Sequence, residues 1–426
     1  MFGIREVNKV QLTVLVALVF TLLVAGVFKS PPISFMAAVL FSGVLLSTLV
    51  GRLVNRNLGV TRTLPSIGTV GDTISGHVTL HNCSALPVFL VHVRCGEVTT
   101  DGKPIIAVGG DEHVTPFLKP RERLLWTQSW RLQRRGLHQL PPAWAGAFDP
   151  LALFQTLEPK TSPQEIIVLP RPIRINRLGF IGGAAAGLQT PQHATVVADA
   201  MDFHGIRAWV PGEAIRRVHW KSTARTGQLH VIEWEENVAS DLTVLLDTNA
   251  AGIVEAEGES TFETAVTLTA SIAAHLLESG YNFQIFCWQQ ASQASSELQL
   301  LRHEARNASS LGATLQLLAK IQPVRHDGAS LPRLAQSAEP AIPRGRSALL
   351  IASSLVDVAE AQRALAGLQH GGASVYALVL DAASFRETSP AATASAGDSS
   401  SAPMLTPRTR IVRRGDSLAA VLERSL

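Results

Sequence analysis

A chain of 426 residues with 37 Lys and Arg against 34 Asp and Glu carries a net charge of +3 and has room for two or three domains. That balance gives no reason to expect a nucleic-acid partner, which needs a dense basic surface. The three cysteines, Cys83, Cys95 and Cys287, make no paired framework and no Cys–His cluster of zinc spacing. So sparse a count fits a reducing compartment, and a Cys83–Cys95 disulfide stays open only for an exported domain. No dinucleotide or phosphate-loop glycine motif is present.

In chain order, two apolar stretches come first. Val10 to Phe28 is 19 residues without a charge and Ile33 to Val50 is 18 more. Each is about long enough to cross a ~30 Å hydrocarbon core as a helix. The connection Lys29-Ser30-Pro31-Pro32 allows only a tight hairpin. Arg5 and Lys9 precede the first stretch, and Arg52, Arg56 and Arg62 follow the second with no acid before Asp72. Basic flanks on one side predict residues 1–9 and everything after 50 in the cytoplasm, with Lys29 outside. A cleaved signal peptide is the rival, against which stand the length of the apolar stretch and the second one that follows at once.

From Val60 to Pro170 short apolar runs alternate with bends. Thr73–Leu80, Val88–Arg94, Leu124–Leu132 and Glu165–Leu169 read as strands, and Gly71-Asp72, Asp101-Gly102 and Gly109-Gly110 as turns. This pattern predicts a β-sandwich of immunoglobulin-like size over 60–170. His77, His81 and His92 alternate along these strands without companion carboxylates and read as solvated or satisfied by hydrogen bonds, and Asp149 reads as a turn cap. Residues 171–200, with Gly182-Gly183-Ala184-Ala185-Ala186-Gly187, read as a linker.

The stretch Asp202–Glu236 concentrates Trp and Arg: Trp209, Trp220 and Trp234 stand among Arg207, Arg216, Arg217, Lys221 and Arg225, with Glu213, Glu233 and Glu235 as partners. Pro211-Gly212 makes a turn. Ile206–Val210 and Gln228–Trp234 read as strands, and Ala214–Ala224 as one or two helical turns. Read alone, the stretch is an ion-pair network in which guanidinium groups stack on indoles. A binding surface for an anion or a partner is the second reading. No nucleophile–base pair of defensible spacing is visible.

After Asp241 strands and helices alternate. Leu242–Leu246 reads as a buried parallel strand, Thr261–Ser279 as a helix stopped by Gly280, Asn282–Trp288 as a strand and Ala305–Ile321 as a helix. Ala348–Ala352 follows as a strand, Asp357–Leu368 as a helix and Ser374–Leu380 as a strand. Residues 383–407, rich in Ala, Ser, Thr and Pro, read as a disordered insertion before a strand Arg408–Val412 and a helix Ser417–Arg424. The alternation predicts a doubly wound α/β sheet over 241–426.

Residues 201–240 resemble the signature of the domain-of-unknown-function 58 family, R-E-Y-x-P-G-D-x-x-R-x-I-x-W-x-x-x-A-R-x-G-x-L. Arg207, Pro211, Gly212, Arg216, Trp220, Ala224, Arg225, Gly227 and Leu229 match. Ala208, Trp209 and Glu213 stand where the family has Glu, Tyr and Asp. Arg134-Arg135-Gly136 and Asp149-Pro150-Leu151-Ala152-Leu153-Phe154 resemble two further family features, with Leu151 and Ala152 in place of Phe and Gly. The α/β part resembles a von Willebrand factor A domain. The family's first strand ends in D-x-S-x-S, which helps to hold a divalent cation; here the stretch is Asp247-Thr248-Asn249-Ala250-Ala251. Asp247 and Asn249 keep oxygens and Ala251 has none, while Ser353 stands where a later Asp is common.

The resemblance implies a multi-pass inner-membrane protein with no known reaction and an Mg²⁺ site that is degenerate and empty. It implies a scaffold or adaptor acting with a MoxR-type AAA+ ATPase, and with a transglutaminase-like membrane protein as a further partner. Its interaction residues are Arg207, Trp209, Pro211, Gly212, Glu213, Arg216, Trp220, Lys221, Arg225 and Glu233. Two alternatives stand beside it. One is an anionic-ligand or lipid-headgroup binder using the basic residues of the signature. The other is a hydrolase using Asp247 or Glu213 beside His219. Trp220 is expected to be buried at a domain junction, and Arg225 to pair with Glu213 or Glu233.

Overall fold

The computed structural model describes residues 3–28, 31–95, 98–100, 103–108, 110, 112–149, 157–179, 201–209, 219–236, 242–256, 259–292, 295–326, 328–342, 346–386 and 408–424. The chain forms two units, Met1–Arg171 and Pro172–Leu426.

The first unit opens with helices α1 (Gly3–Phe28) and α2 (Pro31–Arg56). Among the described residues α2 is the one helix long and apolar enough to cross a membrane; the apolar part of α1, Leu12–Val27, is shorter. Along α2 the side chains of Phe35, Met36, Leu46 and Leu49 are exposed. Twelve strands follow: β1 (Leu58–Thr63), β2 (Ile67–Thr69), β3 (Thr73–Asn82), β4 (Val88–Arg94), β5 (Val98–Thr100), β6 (Lys103–Val108), β7 (Glu112–Leu118), β8 (Arg123–Arg131), β9 (Gly136–Leu140), β10 (Trp144–Ala147), β11 (Glu158–Pro159) and β12 (Gln164–Leu169). Among the described residues they form sheets ordered β1-β3-β8-β6-β5, β11-β10-β4-β7 and β2-β12-β9. In β3 every second residue is buried, the period-two pattern of a strand with one wet face. Val78, Leu80 and Trp130 of the first sheet, Val91 and Val93 of the second, and Ile166 and Val168 of the third share one core with Val54 of α2.

Asp149, read as a turn cap, is buried, and its carboxylate accepts a hydrogen bond from Ser47 Oγ of α2. Gly51, one turn further along α2, lies so close that a Cβ there would stand 2.9 Å from the Cβ of Asp149. Asn55, a turn beyond, accepts the Ala147 N–H on Oδ1 at 2.8 Å, and its carbonyl accepts from Lys160 Nζ at 2.7 Å. The histidines are hydrogen-bonded as expected, His77 to Thr127 Oγ1 at 3.4 Å, but one correction applies: His92 has a carboxylate neighbour, Glu112 of the adjacent strand, with Nδ1 to Oε1 at 2.9 Å. The bond and the positive charges of Arg94 and His92 hold the Glu112 pKa below its ordinary value, against a smaller upward push from burial. His81 meets Cys83 Sγ at 3.2 Å.

The second unit begins where a linker was expected, yet Ile173 N donates to Ser271 Oγ at 2.9 Å and Asn176 N to Glu423 Oε1 at 2.7 Å. Residues 180–200 lie outside the described residues. Strands β13 (Met201–Ala208) and β14 (His230–Glu236) pair antiparallel around α3 (Trp220–Thr226). The remaining elements are β15 (Leu242–Leu246), the short pair β16 (Glu255–Ala256) and β17 (Glu259–Ser260), α4 (Thr261–Glu278), β18 (Phe283–Ser292), β19 (Ser295–Ala305), α5 (Leu311–Lys320), α6 (Leu331–Ala338), β20 (Ser347–Ser353), α7 (Val358–His370), β21 (Ser374–Leu380), α8 (Ala382–Arg386), β22 (Thr409–Val412) and α9 (Leu418–Glu423). The large sheet is ordered β19-β18-β15-β20-β21-β22, parallel except for β19, the doubly wound order with its switch point between β15 and β20.

Local signals account for the helices. Ser260 caps α4 by accepting from Phe262 N, and Gly280, at φ +81°, ends it in a conformation glycine adopts without strain. Asp357 and Ser417 cap α7 and α9 in the same way. The expected helix Ala305–Ile321 is a correction. Ser295–Ala305 is a strand paired along β18, and the helix starts only at Leu311 after a capping box at Asn307 and Ser310. Helix α6 was not foreseen, and α8 occupies the first residues of the stretch read as an insertion; 387–407 lie outside the described residues.

Candidate functional site

Every residue of β15 is buried, so the strand delivers its last neighbour, Asp247, to the carboxyl edge of the sheet from a rigid element. The chain then turns tightly. Asp247 Oδ1 accepts the Asn249 N–H at 3.0 Å and Asn249 Oδ1 accepts the Ala251 N–H at 3.0 Å. Thr248 Oγ1 donates to the Trp288 carbonyl at 2.7 Å, which ties the turn to β18. Gly252 permits close approach: a Cβ there would lie 3.4 Å from the Ser353 Cβ and 3.7 Å from Asp247 Oδ2. Across the switch point Ser353 ends β20, and Thr261, at the start of α4, accepts the Val254 N–H on Oγ1 at 3.1 Å.

Asp247, Asn249, Gly252, Thr261 and Ser353 line a small cleft together with the apolar Phe262, Ala265 and Ile351. Burial pushes the Asp247 carboxyl up to about 6, and the negative charge of Glu360 adds to the rise, while the bond from Asn249 opposes it. The described lining carries one acid, two hydroxyls and one amide, with no histidine, lysine or cysteine. His219, the candidate base, lies elsewhere: its Nδ1 meets Ser222 Oγ at 2.8 Å and accepts from Ser222 N, capping α3. The oxygens that a hard cation would need are also scarce. Asn249 Oδ1 and Asp247 Oδ1 already take backbone N–H groups, Ala251 brings none, and Ser353 supplies a hydroxyl in place of a carboxylate.

The signature residues fall in three sets. Pro211, Gly212, Glu213 and Arg216 lie outside the described residues. Arg207 and Glu233 sit on the paired strands, opposite Val231 and Gly205. Trp209 is half-buried, its N–H bound to the Leu229 carbonyl at 2.9 Å. Trp220, Lys221 and Arg225 lie on α3, and all three are exposed, Trp220 to 64 %. The expected burial of Trp220 is therefore wrong. Alpha-3 spans only seven residues, caps itself through His219 and Gly227, and buries no side chain of its own.

Residues 205–365 match the model of the family described as "Protein of unknown function DUF58". Over this stretch, less than half of its length, the chain is similar to the DUF58 family. The matched stretch begins within β13 and ends within α7, so it contains the signature motif and Asp247, Asn249, Thr261 and Ser353 of the cleft. The chain also has likenesses among solved structures. A CARDB domain from Pyrococcus furiosus is 19 % identical, with 26 % of this chain and 94 % of that one covered at a TM-score of 0.20. The conserved hypothetical protein BatB from Bacteroides thetaiotaomicron is 14 % identical, with 33 % of this chain and 67 % of that one covered at a TM-score of 0.27. No curated protein matches the chain.

Thr261 and Gly252 were missed as site residues by sequence reasoning. The signal for Thr261 was present: Ser260-Thr261 stands directly before the apolar run of α4, where a cap belongs.

Proposed function

We propose that this DUF58 protein is a non-enzymatic scaffold anchored in the inner membrane by α1 and α2, with residues 51–426 in the cytoplasm. In this reading the first unit is an immunoglobulin-like sandwich. The second is a von Willebrand factor A-like domain that docks a MoxR-type AAA+ ATPase, with a transglutaminase-like membrane protein as a further partner. The observation that carries the anchoring is α2, whose apolar side chains are exposed along its length and whose first basic residues, Arg52 and Arg56, lie at its last turns. The scaffold reading is supported by the described lining of the cleft, where the hydroxyls of Thr261 and Ser353 stand beside a carboxyl raised by burial but no histidine, lysine or cysteine does. Without a cation, contacts there rest on Asp247, Asn249, Thr261 and Ser353 as hydrogen-bonding groups.

A reporter fused after residue 426 tests the anchoring: a cytoplasmic fluorescent reporter should be active and an alkaline phosphatase fusion silent. Phosphatase activity there would overturn it. Docking is tested by capture of the ATPase from solubilised membranes on the wild-type chain but not on one carrying Asn249→Arg, which fills the mouth of the cleft.

A second reading is favoured by one observation. Lys221 and Arg225 are four residues apart on α3, hence on one face, and both are exposed beside an exposed Trp220. Such a face suits an anionic ligand. It predicts that Lys221→Ala with Arg225→Ala weakens binding to phosphatidylglycerol vesicles without moving the melting point.

A further inference from the structure

We propose that the end of the β unit from which α2 leaves is itself a membrane-binding surface. Leu86, Phe89, Leu90 and Phe117 are set into the headgroup layer, and Lys119 and Arg121 sit against anionic lipid headgroups. The inference rests on the reading of α2 as a membrane span.

Strand register places these residues. Ala147 of β10 is bound to Asn55 of α2, and two residues on, Asp149 is locked against Gly51 and Ser47, nearer the apolar part of the helix. Beta-4 runs antiparallel beside β10 with Ala147 opposite Val91, so Phe89, two residues back along β4, stands at the level of Asp149. Phe89 is opposite Phe117 of β7, and the two rings meet at 5.2 Å between centroids. Both are exposed, as are Leu86 and Leu90.

The β3–β4 and β7–β8 connections leave at this same end. Asn82 ties them together, its Nδ2 donating to the carbonyls of Leu86 at 2.8 Å and Lys119 at 3.0 Å. Cys83 N donates to the Asn57 carbonyl at 2.8 Å, which fixes the first connection to the foot of α2.

The chemistry fits an interface between water and lipid. Four large apolar side chains exposed together are unfavourable in water. Lys119 and Arg121 add positive charge, while the one acid of the connection, Glu122, accepts the Lys119 N–H at 2.7 Å. Among the described residues, the non-glycine positions with positive φ are Leu90, at 49°, and Arg121, at 61°, and both lie here. The turn at Leu90 puts Phe89 and Leu90 outward in succession, which a regular strand cannot do. Amphipathic surfaces of this kind sink about 5–10 Å into the headgroup region.

The full chain, purified and placed in nanodiscs of phosphatidylglycerol and phosphatidylethanolamine, tests this. Spin labels are attached in a Cys83→Ser background at Phe89→Cys, Leu86→Cys, Leu46→Cys and Thr73→Cys, and each is read for oxygen against nickel-chelate accessibility. Cys95 and Cys287 are buried and stay unlabelled. Thr73, exposed at the far end of the ten-residue β3, is about 30 Å away and serves as the aqueous reference. Labels at 89 and 86 should be oxygen-rich and several-fold less open to the chelate than the label at 73. Lys119→Glu with Arg121→Glu, or nanodiscs of phosphatidylcholine alone, should restore much of the chelate access.

Aqueous labels at 89 and 86 beside a lipid-exposed label at 46 overturn the surface and leave the anchor intact. An aqueous label at 46 overturns the anchor. Protection at 89 only when a membrane extract is added identifies a protein occupant and overturns the lipid one. Charge variants that leave the labels unchanged remove Lys119 and Arg121 from the surface.

Discussion

At the scale of single residues, Asp247 is the group with the clearest consequence. Its ordinary pKa of 3.8 is raised to about 6 in the fold. Below about pH 4 both folded and unfolded chains hold the proton, and the contribution to stability is complete. Between about 4 and 6 only the folded chain holds it, so stability falls as the pH rises, by roughly 1.4 kcal/mol per unit and about 3 kcal/mol in all. Thermal melting of the detergent-solubilised protein should show this decline, and Asp247→Asn should flatten it while keeping the acceptor for the Asn249 N–H. Millimolar Mg²⁺ at pH 7.5 should leave the wild-type melting point in place; a rise abolished by Asp247→Ala would assign a cation to the cleft.

At the scale of elements, the contact between α2 and β10 stands out. Gly51 is there because the Asp149 backbone and Cβ fill the space a side chain would take. Gly51→Val should cost about 1–3 kcal/mol by overpacking and lower the melting point, whereas Gly43→Val, on a part of α2 with open space around it, should not.

None of this contact was legible in the sequence. Asp149 beside Pro150 has the local signature of a turn, and its partner lies 102 positions away on a stretch that reads only as apolar. Short-range patterns fared better. Short apolar runs between bends located β3, β4, β8 and β12, and the alternation of such runs with helical stretches located α4, α7 and α9, because these signals act over a few residues. Beta-19 was missed because Leu298, Leu300 and Leu301 break strict alternation, and its strand identity comes from pairing along β18. In the candidate site Asp247 and Asn249 were readable from one turn. Thr261 joins them only through the fold.

At the scale of the molecule, two units carry separate cores. The second gathers Leu245, Phe286, Leu334, Leu350, Leu365 and Val375 around its own sheet, without a residue from the first. Residues 172–426 alone should therefore be soluble and melt in a single cooperative transition, measured by circular dichroism. A fragment that aggregates, or that shows the broad transition of a chain without fixed packing, would mean that the boundary at 171/172 does not separate independent folding units. The Trp- and Arg-rich signature belongs wholly to this second unit, whose pairing of β13 with β14 it helps to form.

The lock of Asp149 and Ala147 onto Ser47, Gly51 and Asn55 makes α2 a shaft with a crank fixed to it. A helix advances about 100° per residue around its axis. If α2 turns in the bilayer by the angle between two successive side chains, the β unit must swing through the same arc across the membrane face.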